Sequence, residues 1–191
     1  DWLSLLARVR QDPPAVLVNT DWQPGNAATF MTQFMENPTN SLVFIQYGPS
    51  VPEFIDLTKE ISTGVVYNLL GGPLLTPKNP RAREISEKYE SEFGHEPGIY
   101  ASALYEMAYV YFDALEKVGD PTDYIAVSDA IGETDKQVAT GRLVFDQETH
   151  LARQGADYIP IQFYQIWEGE RVLFYPEQYA TGEFRQPPWM E

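Results

Sequence analysis

The chain has 191 residues, of which 43% are hydrophobic, and 28 acidic against 13 basic side chains give a formal net charge of −15. This length suffices for one sizeable core or for two small lobes, and the acidity argues against nucleic acid and anionic membrane surfaces, because both select basic patches. Cysteine is absent, which excludes a disulfide framework, a thiolate metal site and a cysteine nucleophile.

The first 70 residues alternate short apolar runs with helical patterns. A first helix is predicted from Asp1 and ends at Asp12-Pro13-Pro14, since the residue before a proline avoids helical geometry. Strands are predicted at residues 15–18, 42–45 and 64–67, and helices at about 26–36 and 53–58. This strand–helix–strand rhythm predicts an α/β fold with a parallel sheet and right-handed crossovers.

The rhythm changes after a connector rich in glycine and proline at residues 71–80. Three helices are predicted at about 82–93, 100–118 and 123–131, with no strand between them. Residues 141–146 are expected to be extended. The turn Glu168-Gly169-Glu170 predicts a hairpin of two strands, 161–167 and 171–175. The proline-rich tail from Thr181 is expected on the surface.

The most informative stretch runs from Phe93-Gly94-His95-Glu96-Pro97-Gly98-Ile99-Tyr100 into the long helix that follows. Apolar or small residues recur there at spacings of three and four: Ala101, Leu104, Tyr105, Ala108, Phe112 and Leu115. They share one helix face, which must pack on something large. This block resembles the leucine/isoleucine/valine-type solute-binding proteins of ABC importers, which have the periplasmic-binding-protein type I fold.

The resemblance implies two α/β lobes, of which this chain is the C-terminal half or slightly more. Residues 1–70 and 153–191 are then lobe two without its first strand and helix, and residues 71–152 are a returning helical segment of lobe one. The chain shows no signal peptide, and Asp1 falls directly into a helical pattern, so a fragment or a processed chain is expected. The uncovered helix face should meet the N-terminal remainder of the same polypeptide or a second copy.

The resemblance also implies a function, namely an exported solute-binding protein at the periplasmic or extracellular face. Such a protein captures a small polar solute between two lobes and delivers it to a membrane permease, without catalysis and without a cofactor. The alternative is a ligand-sensing regulatory domain of the same fold in a receptor or transcription regulator. A signal peptide or a fused output domain in the full-length gene would separate the two.

Polar and aromatic side chains follow the three predicted parallel strands. Asp21 and Trp22 come after the first, Gln46 and Tyr47 after the second, and Asn68 after the third. Open parallel sheets bind ligands at the carboxyl ends of their strands, and stacking faces with a few directed polar groups are typical of a small-molecule cleft. The sequence therefore predicts a ligand-binding wall made of these five residues.

The family pattern places an aromatic residue in the first of these loops and a carboxylate for the ligand's ammonium in the second. Trp22 or Asp21 takes the first place here, and Gln46 or Tyr47 takes the second, where residues 46–50 contain no acid. Asp21 could pair with a cation instead. This departure counts against an α-amino acid and leaves room for an amide, urea-like or aromatic solute. The solutes considered are therefore an amino acid, an amide or urea-like compound, and an aromatic acid.

Enzyme chemistry has little support in the sequence. His95 and His150 are the two histidines, and neither has a metal-ligand spacing beside it. Asp146 and Glu148 are close enough in sequence to be considered as a catalytic carboxylate pair. General acid–base catalysis needs surroundings that give the two carboxyl groups different pKa values, and the neighbouring residues show no sign of this. The sequence also has no nucleophile elbow, phosphate loop or dinucleotide fingerprint. We therefore expect no catalytic residue and no bound metal.

Overall fold

The computed structural model describes residues 1–190 and divides into two compact units. Unit 1 is Asp1–Leu69 together with the chain from Gln162 onward, and unit 2 is Leu70–Ile161. Within the described residues, no helix is both long enough and apolar enough to cross a membrane.

Unit 1 is built on a five-stranded sheet of order β1-β2-β3-β6-β7. Its strands are β1 (Val16–Asn19), β2 (Leu42–Ile45), β3 (Val66–Leu70), β6 (Ile161–Trp167) and β7 (Glu170–Tyr175). The first three are parallel, and β6 and β7 form an antiparallel hairpin. The predicted α/β sheet is thus confirmed. β3 begins two residues later than predicted, because Gly64 has the left-handed φ of 98° and gives its N–H to Ile166 O.

Three helices accompany this sheet: α1 (Leu3–Val9), α2 (Pro24–Met35) and α3 (Pro52–Thr58). The last two begin at a proline, which suits the first helical position because its missing N–H would have no partner there. Val43 and Ile45 on one sheet face are completely buried. A Cβ atom added to Gly48 would lie 2.7 Å from Ala27 Cβ of α2 and 3.6 Å from Ile45 Cγ2, so α2 packs close to the carboxyl end of β2.

β1 is the outer strand of the sheet. Ala15 O and Asn19 O accept hydrogen bonds from β2, so the alternate residues Val16 and Val18 turn their backbone N–H and C=O groups away from the sheet. Their side chains are 47% and 56% exposed. Within residues 1–190 this edge is unpaired, and such an edge is a template for pairing with another strand.

Unit 2 contains α4 (Pro80–Phe93), α5 (Ile99–Val118), α6 (Tyr124–Gly132) and a hairpin of β4 (Asp135–Val138) and β5 (Gly141–Val144). The three predicted helices are present with no strand between them, whereas β4, which comes before the extended stretch expected at residues 141–146, was not predicted. β4 is polar along most of its length, and its pairing with β5 gives it its extended form. The Asn79 amide donates to Val138 O and Ala139 O at 3.1 and 3.0 Å, which ties the start of α4 to the hairpin.

The helix α5 buries a stripe of every fourth residue, namely Ser102, Glu106, Val110 and Ala114. Glu106 is 1% exposed, and its Oε1 accepts a hydrogen bond from Arg81 Nε at 2.8 Å. The apolar stripe read from the sequence lies outside this contact, because Leu104 and Phe112 are 68% and 56% exposed. Unit 2 therefore packs against a mixed stripe of α5, in which Val110 joins an apolar cluster and Glu106 is paired with Arg81, and Tyr105 packs beside that stripe.

The proline-rich tail is anchored to unit 1. The Arg185 N–H donates to the Gln165 side-chain oxygen, and the Gln165 amide donates back to Arg185 O. Further along, the Trp189 indole donates to Ser41 O at 2.9 Å and contacts the Phe34 ring edge-on. The tail is thus packed against the surface of unit 1. The expected surface tail extended to Glu191, which lies outside the described residues.

Candidate functional site

The loop after β1 is ordered by short-range hydrogen bonds. Asn19 Oδ1 accepts the Asp21 N–H at 2.9 Å, and Asp21 Oδ1 accepts the Gln23 N–H at 2.9 Å. Asn and Asp side chains commonly organise turns in this way. One carboxylate oxygen of Asp21 is therefore committed to the loop itself, and the other is the atom with which Asp21 can meet a ligand.

Trp22 follows and is 73% exposed. It borders a cavity of about 450 Å³, a volume within the range of small-molecule sites. The cavity is lined by α1 with the residue before it, by β1 and the loop after it, and by one residue of α2: Trp2, Leu5, Leu6, Val9, Leu17, Val18, Asn19, Thr20, Asp21, Trp22 and Phe30. It therefore lies along the unpaired edge of the sheet.

The loop after β2 contains a strained turn. Tyr47 has φ 68° and ψ −56°, and the Gly48 N–H donates to Gln46 O at 2.9 Å. This is the γ-turn with positive φ, which is rare and costly for a residue with a side chain. The Ser50 N–H and hydroxyl both donate to Tyr47 O and hold the turn. Strained backbone of this kind clusters at functional sites.

The two loops touch each other and α2. The Gln46 N–H donates to Asn19 O at 2.8 Å. A Cβ atom added to Gly48 would lie 2.7 Å from Ala27 Cβ and 3.8 Å from Asp21 O. Because real Cβ atoms do not approach so closely, only glycine lets the second loop pack against α2. The structure thus brings Asp21 beside the loop that carries Gln46 and Tyr47.

Asn68 lies inside β3 and not after it as predicted, two residues beyond Val66, which pairs with Phe44 of β2. Its side chain is 8% exposed, and its Oδ1 is buried with no hydrogen-bond partner in residues 1–190. Buried amide oxygens are nearly always satisfied, so this atom is a candidate acceptor for a missing donor. The 450 Å³ cavity does not include Gln46, Tyr47 or Asn68 in its lining. The five predicted residues therefore do not surround that one cavity.

Sequence reasoning missed Arg171 of β7. Its Nε donates to Pro49 O in the second loop at 3.3 Å across 122 positions. No local pattern announces such a contact. Trp2, which precedes α1, and Leu5 of α1 also form part of the cavity wall.

Two buried tyrosines lie in the sheet near Arg171. The rings of Tyr67 and Tyr164 are stacked with centroids 5.2 Å apart. Burial raises the pKa of Tyr67 well above its ordinary value, although the Arg171 charge lowers it in part. Burial also raises the pKa of Tyr164, and Arg171 again opposes that shift.

These raised pKa values predict a loss of stability in alkali. Below the ordinary tyrosine pKa of about 10, the folded and the unfolded protein both keep the phenol protons. Above it the unfolded chain releases them first, so the free energy of unfolding falls by about 1.4 kcal/mol per pH unit for each such tyrosine. Urea unfolding between pH 8 and pH 11 should show a shallower decline for Tyr67→Phe than for the natural protein. Tyr124→Phe, at a side chain 78% exposed, serves as control and should follow the natural protein; equal slopes for all three would contradict the assignment.

The residues considered for catalysis have ordinary structural roles. Asp146 Oδ1 accepts hydrogen bonds from the Glu148 N–H and from the N–H and hydroxyl of Thr149. The bonds from Thr149 and Glu148 hold the pKa of Asp146 below its usual value. His95 Nδ1 lies 2.9 Å from Glu96 O in its own loop. Residues 1–190 contain no group of three side chains that could hold a metal ion.

No protein-family model and no curated protein matches the sequence. Among solved structures, the chain is similar over 100% of its length to a candidate branched-chain amino acid ABC transporter protein from Silicibacter pomeroyi, with 32% identity and a TM-score of 0.85. It spans 51% of that protein.

Two more distant structures show the same fold. The leucine binding protein LivK from Thermotoga maritima matches 93% of the chain at 20% identity and a TM-score of 0.74. The branched-chain amino acid transporter substrate binding protein LivJ from Streptococcus pneumoniae, solved with isoleucine, matches 90% at 15% identity and a TM-score of 0.69. The chain spans 49% and 47% of these proteins, about half of each.

Proposed function

Since the chain belongs with the substrate-binding proteins of branched-chain amino acid ABC transporters, which have the periplasmic-binding-protein type I fold, we propose that it is part of an extracytoplasmic solute-binding protein of an importer. The observation that carries the proposal is similarity over the whole chain, sheet and helices alike, rather than over one motif. The role is capture of a solute and its delivery to a membrane permease, so no catalytic residue is assigned.

The two units take different parts in this proposal. Unit 1 supplies the ligand-binding sheet of lobe two, and unit 2 is the returning segment of lobe one. The edge of β1 and the outer face of α5 then receive further protein, for which the candidates are the N-terminal remainder of the same polypeptide and a second copy. Light scattering on the 191-residue chain separates them, since a stable dimer supports the second copy and a monomer supports the remainder.

The solute site is proposed at the carboxyl ends of β1, β2 and β3. Trp22 offers an exposed ring for stacking, Asp21 has one uncommitted carboxylate oxygen, and Gln46 and Tyr47 lie in the adjacent loop. Amide and hydroxyl groups outnumber charges here. A small polar solute fits this set: an amino acid, an amide or urea-like compound, or an aromatic acid.

Thermal unfolding of the intact protein with L-leucine, L-isoleucine, L-valine, acetamide, urea and benzoate tests the proposal. A true ligand at one hundred times its Kd stabilises the folded protein by about 2.7 kcal/mol and raises the Tm accordingly. No shift with any of the six, at millimolar concentrations, would count against a solute of these classes.

Trp22→Ala is the sharpest test of the site. Loss of a stacking anchor typically costs about 2 kcal/mol or more, roughly a thirtyfold increase in Kd. Tyr124→Ala is the matched control, because Tyr124 is 78% exposed and lies in unit 2, against 73% for Trp22. Titration calorimetry with the solute found above should show a weaker complex for Trp22→Ala alone. An unchanged Kd would remove Trp22 from the site.

A further inference from the structure

Arg171, near the start of β7, is a cation with no anionic partner in the part of the chain that the structure describes. It takes part in none of the ion pairs found within residues 1–190. Its Nη2 nitrogen is buried and has no hydrogen-bond partner in that part of the chain. A buried guanidinium nitrogen carries a desolvation penalty that no opposite charge offsets here. Burial of Arg171 therefore costs free energy, which packing alone would not require, since an apolar side chain could fill the same space.

The side chains around the guanidinium do not neutralise it. Tyr67 and Tyr164 are buried beside it, and both phenols are uncharged at neutral pH. The Tyr67 hydroxyl is buried nearby, and Arg171 offsets part of the effect of burial on its pKa through its charge and a side-chain hydrogen bond. The sheet therefore supplies a low-dielectric wall for Arg171, in which the hydrogen bond from its Nε is strengthened.

That hydrogen bond goes to the loop of residues 46–50, which we call the γ-turn loop. Arg171 Nε donates to Pro49 O at 3.3 Å. Two residues earlier, Tyr47 is held in the strained turn, and Gly48 is pressed against Ala27. A strained backbone persists only where its surroundings over-determine it. Arg171 is the part of those surroundings that comes from β7, the strand at the opposite edge of the sheet from β1.

We propose that Arg171 is a positioning residue, which fixes the γ-turn loop and so presents Gln46 and Tyr47 to the solute. The consequence for binding rests on the proposed function, whereas the holding of the loop does not. Arg171 touches the loop backbone and acts through it, without contact to the ligand.

Amide hydrogen exchange on the intact protein measures the holding of the loop without any ligand. In Arg171→Met, the Gly48 and Ser50 amides should exchange at least tenfold faster, while the amides of β2 keep their natural rates. A purely structural role would accelerate both sets together through global unfolding. Arg185→Met is the control, because Arg185 is an exposed arginine of unit 1 over the Trp167 ring. Arg171→Lys is measured beside it and should show a smaller acceleration at the same two amides.

Titration calorimetry with the solute identified by thermal unfolding then tests the effect on binding. Arg171→Met should raise the Kd at least tenfold, and Arg185→Met should leave it unchanged. If neither Arg171 variant accelerates Gly48 and Ser50 selectively, the positioning role is wrong, whatever the solute proves to be. If the loop loosens and the Kd stays the same, the link between loop and solute is wrong. Failure of the natural protein to bind any solute would overturn the proposed function and leave the exchange result standing.

Discussion

Arg81→Met is expected to destabilise the protein by about 3–5 kcal/mol, because it leaves a buried carboxylate without its counter-ion. Glu106 is 1% exposed and accepts from Arg81 Nε at 2.8 Å, and its Oε2 is already buried without a partner in the described residues. The remaining charge would have no favourable contact between α4 and α5. Urea unfolding at pH 7 gives the loss directly.

The matched control is Arg142→Met, which breaks the ion pair of Arg142 with Asp135. That pair has contacts of 2.7 and 2.6 Å, but its side chains are 50% and 53% exposed. Solvated pairs contribute about 0–1 kcal/mol, so this variant should stay near the natural protein. The double variant Arg81→Met with Glu106→Gln should recover most of the loss, because no buried charge remains. Equal losses for Arg81→Met and Arg142→Met would contradict this account of the buried pair.

Gly141→Ala is expected to destabilise the protein by about 3 kcal/mol or more, as backbone strain and overpacking add. Gly141 opens β5 with φ 132°, and a Cβ there would lie 2.3 Å from Tyr158 O and 3.1 Å from Pro160 Cδ. The Arg142 N–H donates to the same Tyr158 carbonyl at 3.1 Å, so the carbonyl cannot move away without losing that bond. The change in urea midpoint at constant slope measures the effect.

Gly155→Ala separates the two causes. Gly155 has a similar φ of 124°, but nothing lies within 4 Å of the added Cβ. It should therefore show the cost of the backbone angle alone, about 1–2 kcal/mol. Were Gly155→Ala to cost as much as Gly141→Ala, the close approach of Tyr158 O would be irrelevant.

The parallel part of the unit 1 sheet could be predicted because residues 15–18, 42–45 and 64–67 are short apolar runs, which are typical of buried parallel strands. β4 could not, since Asp135, Lys136 and Gln137 have no apolar alternation. Its extended form comes from pairing with β5 rather than from its own composition. Gly64 shifted the start of β3 for a related reason, as its left-handed angle serves a hydrogen bond to Ile166, which is distant in sequence.

The part of the candidate site that could be predicted from the sequence is the set of loops that directly follow the predicted strands. Asp21 and Tyr47 follow apolar runs, and the structure places their loops side by side. Arg171 follows no such rule, because its role depends on a contact across 122 positions. The buried side of α5 was hidden for another reason. A search for apolar residues at helical spacing passes over Glu106, because a glutamate is normally exposed. Glu106 can be buried between α4 and α5 because Arg81 is its ion-pair partner.

The exposure of Trp22 has a consequence for detection of the solute. Of the four tryptophans, Trp2, Trp167 and Trp189 give their indole N–H to protein acceptors, whereas the Trp22 side chain is 73% exposed. An indole in water emits at longer wavelengths than one shielded by protein, and it is the first to be quenched by dissolved acrylamide. The protein therefore carries its own optical reporter at the candidate site. A solute that stacks on this ring should shift the emission to shorter wavelengths and protect it from the quencher, so that occupancy can be read without a label.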